Sequence, residues 1–253
     1  MRRILVDDLC LRRPWNWAGD FDQEGMIRTV SSLKGEFSGL WQEEEESNEP
    51  RKALPFTITI DGLSATGKTT VAAGLAQRLS ATIIDTGLMF RVLAAAELDG
   101  WHGLETADLI SYMKGERHLD PSRREQASAL ASRKAQDPEF RTLYRNLLDK
   151  ALRDLGPCVV IGRDGWRIVP EAGLRVILEA DFEVRLRRHM LTVARATGTA
   201  RTAPVLAQEL REKDERDRNK LPAEHEQGLA RVQNGRRPLS ATLKEIFSLM
   251  DSV

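Results

Sequence analysis

The hydrophobic positions of the chain fall into short runs separated by stretches with helical spacing. Phe56-Thr57-Ile58-Thr59-Ile60 is rich in β-branched residues and predicts a strand. Residues 71–79 follow with the three- and four-residue spacing of one helix face. Residues 82–84, 159–161 and 174–178 are further apolar runs of strand length, and 229–232 is a candidate fifth. Strands that alternate with helices need crossover connections, which build a parallel sheet buried on both faces. The pattern therefore predicts an α/β protein, a three-layer αβα fold around a five-stranded parallel sheet.

Upstream the pattern dissolves. Residues 1–41 carry Trp15, Trp17 and Trp41 among mixed charges with no clean period. The run Glu43-Glu44-Glu45-Glu46, then Ser47-Asn48-Glu49-Pro50, reads as a solvated linker. Residues 1–52 are thus expected to form an N-terminal extension and acidic linker, and residues 53–253 the main domain. The extension is either an arm without chemistry, a segment that docks through its tryptophans, or a site for a protein partner on residues 1–41.

Composition narrows the function classes. Lys+Arg and Asp+Glu number 38 each in 253 residues, so the formal net charge is zero. No global basic field recruits nucleic acid, and an anionic ligand needs a local cluster. Cys10 and Cys158 are too few for a disulfide framework or a metal knuckle, which fits a reducing cytoplasm. Cys158 opens an apolar run and reads as packing. No apolar stretch reaches the roughly 18 residues of a membrane span, and the N-terminus lacks the apolar core of a secretory signal.

The strongest chemical signal is Gly62-Leu63-Ser64-Ala65-Thr66-Gly67-Lys68-Thr69, a full G-x-x-x-x-G-K-[ST] placed after a strand and before a helix. Its glycines let the backbone bend until N–H groups face phosphate oxygens, and the helix adds its positive end. Lys68 supplies a charge for the β- and γ-phosphates, and Thr69 a hydroxyl for Mg²⁺. Gly62, Ser64, Ala65, Thr66, Gly67, Lys68, Thr69 and Thr70 are therefore candidate ATP-binding residues of a P-loop NTPase. Asp61, beside the loop, reads either as a carboxylate that orients a Mg²⁺-bound water or an acceptor, or as a helix-start carboxylate. The N-K-x-D signature of GTPases is missing, because Asn219-Lys220 is followed by Leu221-Pro222. The strand 174–178 ends in Glu179-Ala180-Asp181, a poor fit to large ATPases. Scattered arginines instead suit a kinase that must bring two polyanions together.

Asp85-Thr86-Gly87-Leu88-Met89-Phe90-Arg91 follows the second strand, and Gly162-Arg163-Asp164 leaves the third; both reach the sheet edge where α/β folds bind ligands. Lys213, Arg216, Asp217 and Lys220 share one helix face, either a solvated face or a third part of the site. In order and spacing these pieces resemble the bacterial cytidylate kinases over roughly residues 56–240. The resemblance includes Ala131-Ser132 with Arg141 nine residues on, Pro170-Glu171-Ala172, Glu183-x-Arg185-x-Arg187-Arg188 and Asp214-x-x-Asp217-Arg218-Asn219.

The resemblance implies ATP and Mg²⁺ as cofactors and a nucleoside monophosphate as acceptor. It implies a helical lid at about 182–220 and a short acceptor-binding insert at about 87–141. Lys68, Arg163, Arg185 and Arg188 are implied as catalytic, the last two reaching donor phosphates as the lid closes. Arg91 and Arg163 would hold the acceptor phosphate, Ser132 and Arg141 the pyrimidine edge, and Asp164 and Asp217 sugar hydroxyls. Asp61, Thr86, Phe90, Lys213 and Lys220 complete the implied acceptor set. Departures stand out: Lys213 and Lys220 replace arginines, Phe90 replaces a tyrosine, Gly165-Trp166-Arg167 forms a shorter turn, and the stretch from Arg91 to Ser132 is short. Trp166 either stacks on a base or packs. Two alternatives remain, a kinase of another small acceptor and a nucleotide-binding regulatory protein.

Overall fold

A computed structural model describes residues 56–100, 106–113, 121–197 and 201–251. The N-terminal extension, its linker and any partner site on it lie outside the described residues. Five parallel strands form one sheet: β1 (Thr57–Asp61), β2 (Thr82–Asp85), β3 (Cys158–Gly162), β4 (Leu174–Glu179) and β5 (Ala230–Gln233), in the order β2-β3-β1-β4-β5. All five predicted strands are present, with ends shifted by a residue or two. Every residue of β1 and β3 is buried, as a parallel sheet covered on both faces requires.

On one face α1 (Lys68–Leu79) and α9 (Leu239–Met250) pack against Ile58, Ile60, Val159 and Val176. On the other, α2 (Thr86–Leu98), α4 (Pro121–Lys134) and α5 (Pro138–Asp154) bury Met89, Leu93, Leu148 and Leu152 against Ile84 and Val160. The short α3 (Thr106–Met113) lies between α2 and α4 in sequence. The described part of the 87–141 region thus consists of helices joined by turns.

Register fixes the functional edge. Asp61 pairs with both Gly162 and Ile177, and Asp85 with Ile161, so the C-terminal ends of β1, β2, β3 and β4 lie level. The one-turn α6 (Gly165–Ile168) follows β3 there. A hairpin of α7 (Phe182–Thr197) and α8 (Ala203–Arg218) leaves β4 and returns toward β5.

Candidate active site

The loop between β1 and α1 is bent by necessity. A Cβ on Gly62 would lie 2.3 Å from the Leu178 carbonyl oxygen, so only glycine passes β4 this closely. Gly67 starts α1 at φ 98°, where a Cβ would also meet Asn234 Nδ2 at 2.5 Å. Thr66 Oγ1 donates to the Leu63 carbonyl at 3.0 Å. Lys68 Nζ folds back on the loop, donating to the carbonyls of Gly62 (2.7 Å) and Leu63 (2.9 Å). Burial, then the Arg163 charge, lowers the Lys68 pKa to about 8, against the opposing pull of Asp61, Asp85 and Asp217. Thr69 is exposed at the start of α1.

Three arginines from two elements meet this loop. Arg163, just past β3, donates from Nη2 to Ser64 Oγ at 3.1 Å. Arg185, buried on α7, donates from Nη1 to the Ser64 carbonyl at 3.2 Å. One helical turn on, Arg188 Nη1 donates to the Thr66 carbonyl at 2.9 Å. Each is held from behind. Arg185 grips Asp214 of α8 with both terminal nitrogens, at 2.9 and 2.8 Å. Arg188 Nη2 reaches the carbonyls of Asn234 (2.9 Å) and Gly235 (3.0 Å). Arg163 Nε pairs with Asp217, whose other oxygen takes Lys220 Nζ at 2.9 Å. A cavity of about 720 Å³ opens between Gly62, Leu63 and Thr66, the end of β4, and Arg211 and Arg218 of α8. That volume is in the range of small-molecule sites.

The acceptor-side residues line up along the same edge. Asp85 caps α2, accepting from Leu88 N at 3.0 Å, and Thr86 Oγ1 donates to the Ile161 carbonyl at 3.1 Å. Arg91, one turn into α2, is half-buried. Burial lowers its pKa, with Asp85 opposing and Arg124 and Arg163 adding to the fall. Phe90 stacks on Tyr144 of α5, with centroids 4.1 Å apart. The Asp164 carboxyl is raised by burial, while Arg141, Arg167 and Lys220 pull it down. Arg141 Nη1 donates to the Ala135 carbonyl at 3.0 Å.

Three further candidates make contacts of their own. Asp61 is fully buried and accepts the N–H groups of Gly165 (2.9 Å) and Trp166 (2.7 Å), the contacts its helix-start reading expects. Burial still raises its pKa to about 6. Ser132 is exposed, its hydroxyl donating back to Ser128 O at 3.0 Å. Lys213 lies in the α7–α8 hairpin beside His189 and Glu209. Trp166 packs, its Nε1–H donating to the Lys220 carbonyl at 2.9 Å.

Asn234 is a site residue that sequence reasoning missed. It is buried after β5, and its Nδ2 donates to the Thr66 carbonyl at 2.7 Å. Thr242 of α9 fixes the other amide atom by donating to Oδ1 at 3.0 Å. The available signal was an Asn-Gly pair directly after a strand that ends on the functional edge.

A glycine-bent phosphate loop after the central strand of a parallel sheet, met by hairpin and strand-end arginines, defines a P-loop kinase. Residues 58–229 match the family model for cytidylate kinase, and the chain belongs to the cytidylate kinase family. It is 31% identical to the cytidylate kinase of Chlamydia felis over 213 residues, which cover 76% of this chain and 97% of that one. It is 36% identical to the cytidylate kinase of Cereibacter sphaeroides over 177 residues, covering 67% and 82%. Among solved structures, an uncharacterized protein from Eubacterium ventriosum superposes with a TM-score of 0.50 at 15% identity, covering 79% of this chain and 99% of that one. That last likeness concerns the fold alone.

Proposed function

We propose that the protein transfers the γ-phosphoryl group of ATP to the phosphate of a pyrimidine nucleoside monophosphate, CMP or dCMP, giving ADP and the diphosphate. The observation that carries this reading is Arg163, which touches the phosphate loop through Ser64 and the lid through Asp217. A guanidinium at that junction can face donor and acceptor phosphates together, and its planar fork suits both. In this reading Gly62, Ser64, Ala65, Thr66, Gly67, Lys68, Thr69 and Thr70 hold the triphosphate. Lys68 exchanges its loop carbonyls for the β- and γ-phosphate oxygens.

Arg91 and Arg163 bind the acceptor phosphate, Asp164 and Asp217 its sugar hydroxyls, and Arg141 with Ser132 its base. An acceptor phosphate is already ionised, so no strong base is needed. Catalysis rests on in-line alignment and on charge neutralisation by Lys68, Arg163, Arg185 and Arg188. The α7–α8 hairpin serves as the lid and excludes water. Among the described residues no group of three or more His, Cys, Asp or Glu is arranged to hold a metal. The exposed Thr69 hydroxyl fits Mg²⁺, an ion that keeps waters and shares its ligation with nucleotide phosphates. Bound there, Mg²⁺ would supply charge neutralisation for the triphosphate.

The outward hydroxyl of Ser132 favours one second reading, the same kinase chemistry on a different small acceptor. Titrating CMP, dCMP, UMP and dTMP in a coupled ADP-release assay separates them. Rapid ADP release with CMP or dCMP supports the first reading. Release that no nucleotide accelerates overturns it.

A further inference from the structure

The Thr66 carbonyl of the phosphate loop accepts from two side chains of different standing. Arg188 Nη1 reaches it at 2.9 Å from α7. Asn234 Nδ2 reaches it at 2.7 Å from the end of β5, with the side chain only 4% exposed. In the reading above, Arg188 leaves for the donor phosphates as the hairpin closes. Asn234 belongs to the sheet edge and stays.

The Asn234 amide is also held facing one way. Arg237 Nε donates to Thr242 Oγ1 at 3.2 Å, and a guanidinium has no acceptor to offer in return. The Thr242 hydroxyl therefore takes that bond and gives its own proton to Asn234 Oδ1, at 3.0 Å. Thr242 is fully buried, so water does not compete for the relay. With its oxygen occupied, Asn234 turns Nδ2 to the loop, where it lies 2.5 Å from the place of a Cβ on Gly67. The Thr66–Gly67 peptide is trans, and a trans peptide directs its C=O and N–H to opposite sides. A Thr66 oxygen held toward β5 therefore keeps the Gly67 N–H on the other side.

We infer that Asn234, backed by Thr242, is a donor-side positioning residue for the transfer reaction. It fixes the direction of the Gly67 N–H, so that this amide meets a phosphate oxygen of ATP whether Arg188 rests on the loop or has moved to the nucleotide. Arg188 supplies charge to the donor, and Asn234 supplies the constancy of the cradle. The inference rests on the part of the reading above that makes this loop the ATP site, and it is independent of which acceptor is used.

The test is equilibrium titration of ATP and of inorganic tripolyphosphate, each with Mg²⁺, into the full chain and its variants, alongside thermal midpoints. Asn234→Ala should weaken both ligands by the same factor, about tenfold, because the misaligned amide serves phosphate and not base. Thr242→Val should weaken both in the same direction. Thr242→Ser should stay within about twofold of wild type, since the hydroxyl and its bond are kept. Weaker ATP binding with unchanged tripolyphosphate would assign Asn234 to the base and overturn the inference. A lower midpoint with both affinities unchanged would make Asn234 merely structural, with the same consequence. If Asn234→Ala does not fold, the Thr242 pair decides, and equal affinities in the valine and serine variants overturn the inference. Each of these results leaves the ATP site standing. A wild-type protein that binds neither ligand overturns the reading itself, and the inference falls with it.

Discussion

Lys68 illustrates how one residue binds charge, loop shape and pH together. Its ammonium spans the carbonyls of Gly62 and Leu63 and sits at a pKa of about 8 because burial and Arg163 disfavour the proton. Replacing it with alanine should lower kcat at least ~10²-fold, the scale of losing a preorganised electrostatic group; the coupled ADP assay measures it directly. ATP affinity should decline as pH rises past about 8, where the free lysine loses its charge. A bound triphosphate favours the ammonium, so calorimetry at that pH in two buffers of different ionisation enthalpy should register proton uptake. Heat that is identical in both buffers would mean the lysine stays charged throughout. The same lowered pKa acts on stability with a definite sign. The unfolded chain binds more protons between about 8 and the ordinary 10.5, so this residue makes stability rise with pH across that window. The residue's role was legible in sequence because the glycine–lysine spacing has a local physical meaning. Asn234 was not legible: its value depends on β5 ending beside Thr66, a meeting of residues 168 positions apart. Asp61 had two local readings, and the N–H groups that its helix-start reading needs come from residues more than a hundred positions away.

At the scale of elements, one buried ion pair joins the two helices of the hairpin. Arg185 is 6% exposed and Asp214 13%, so the pair is largely desolvated. Arg185→Leu strands the Asp214 carboxylate and should cost about 3–5 kcal/mol, read from urea unfolding. The double variant Arg185→Leu with Asp214→Leu should recover most of that stability without recovering activity, because the contact to the Ser64 carbonyl is still gone. Recovery of activity as well would assign Arg185 a purely architectural role. The strands were readable as elements because burial on both faces makes each a short apolar run. The acceptor-side helices were harder. α4 is dominated by Arg, Ser and Ala and shows little apolar periodicity. The start of α5 carries a clear local mark, Asp137 capping Glu139 and Phe140 ahead of Pro138 at the first turn. That cap sets the phase of the helix, and with it the positions of Arg141 and Tyr144.

For the whole molecule, the strand order places residues from four separate chain segments on one edge, which is why motifs more than a hundred residues apart can form a single site. The described domain has its own sheet and two apolar cores, one on each face. Deleting residues 1–50 should therefore leave kcat and KM for CMP within about twofold of the full chain, since the core closes without them. A truncated protein that keeps its circular-dichroism spectrum but loses turnover would make the extension part of the site.

The indole of Trp166 joins the turn after β3 to the end of the lid through the Lys220 carbonyl. Of the five tryptophans, Trp15, Trp17 and Trp41 leave with the truncation, so Trp101 and Trp166 would be the remaining emitters. Any swing of the hairpin that breaks this bond changes the solvent around the indole, and the enzyme thereby carries its own fluorescent gauge of each opening and closing.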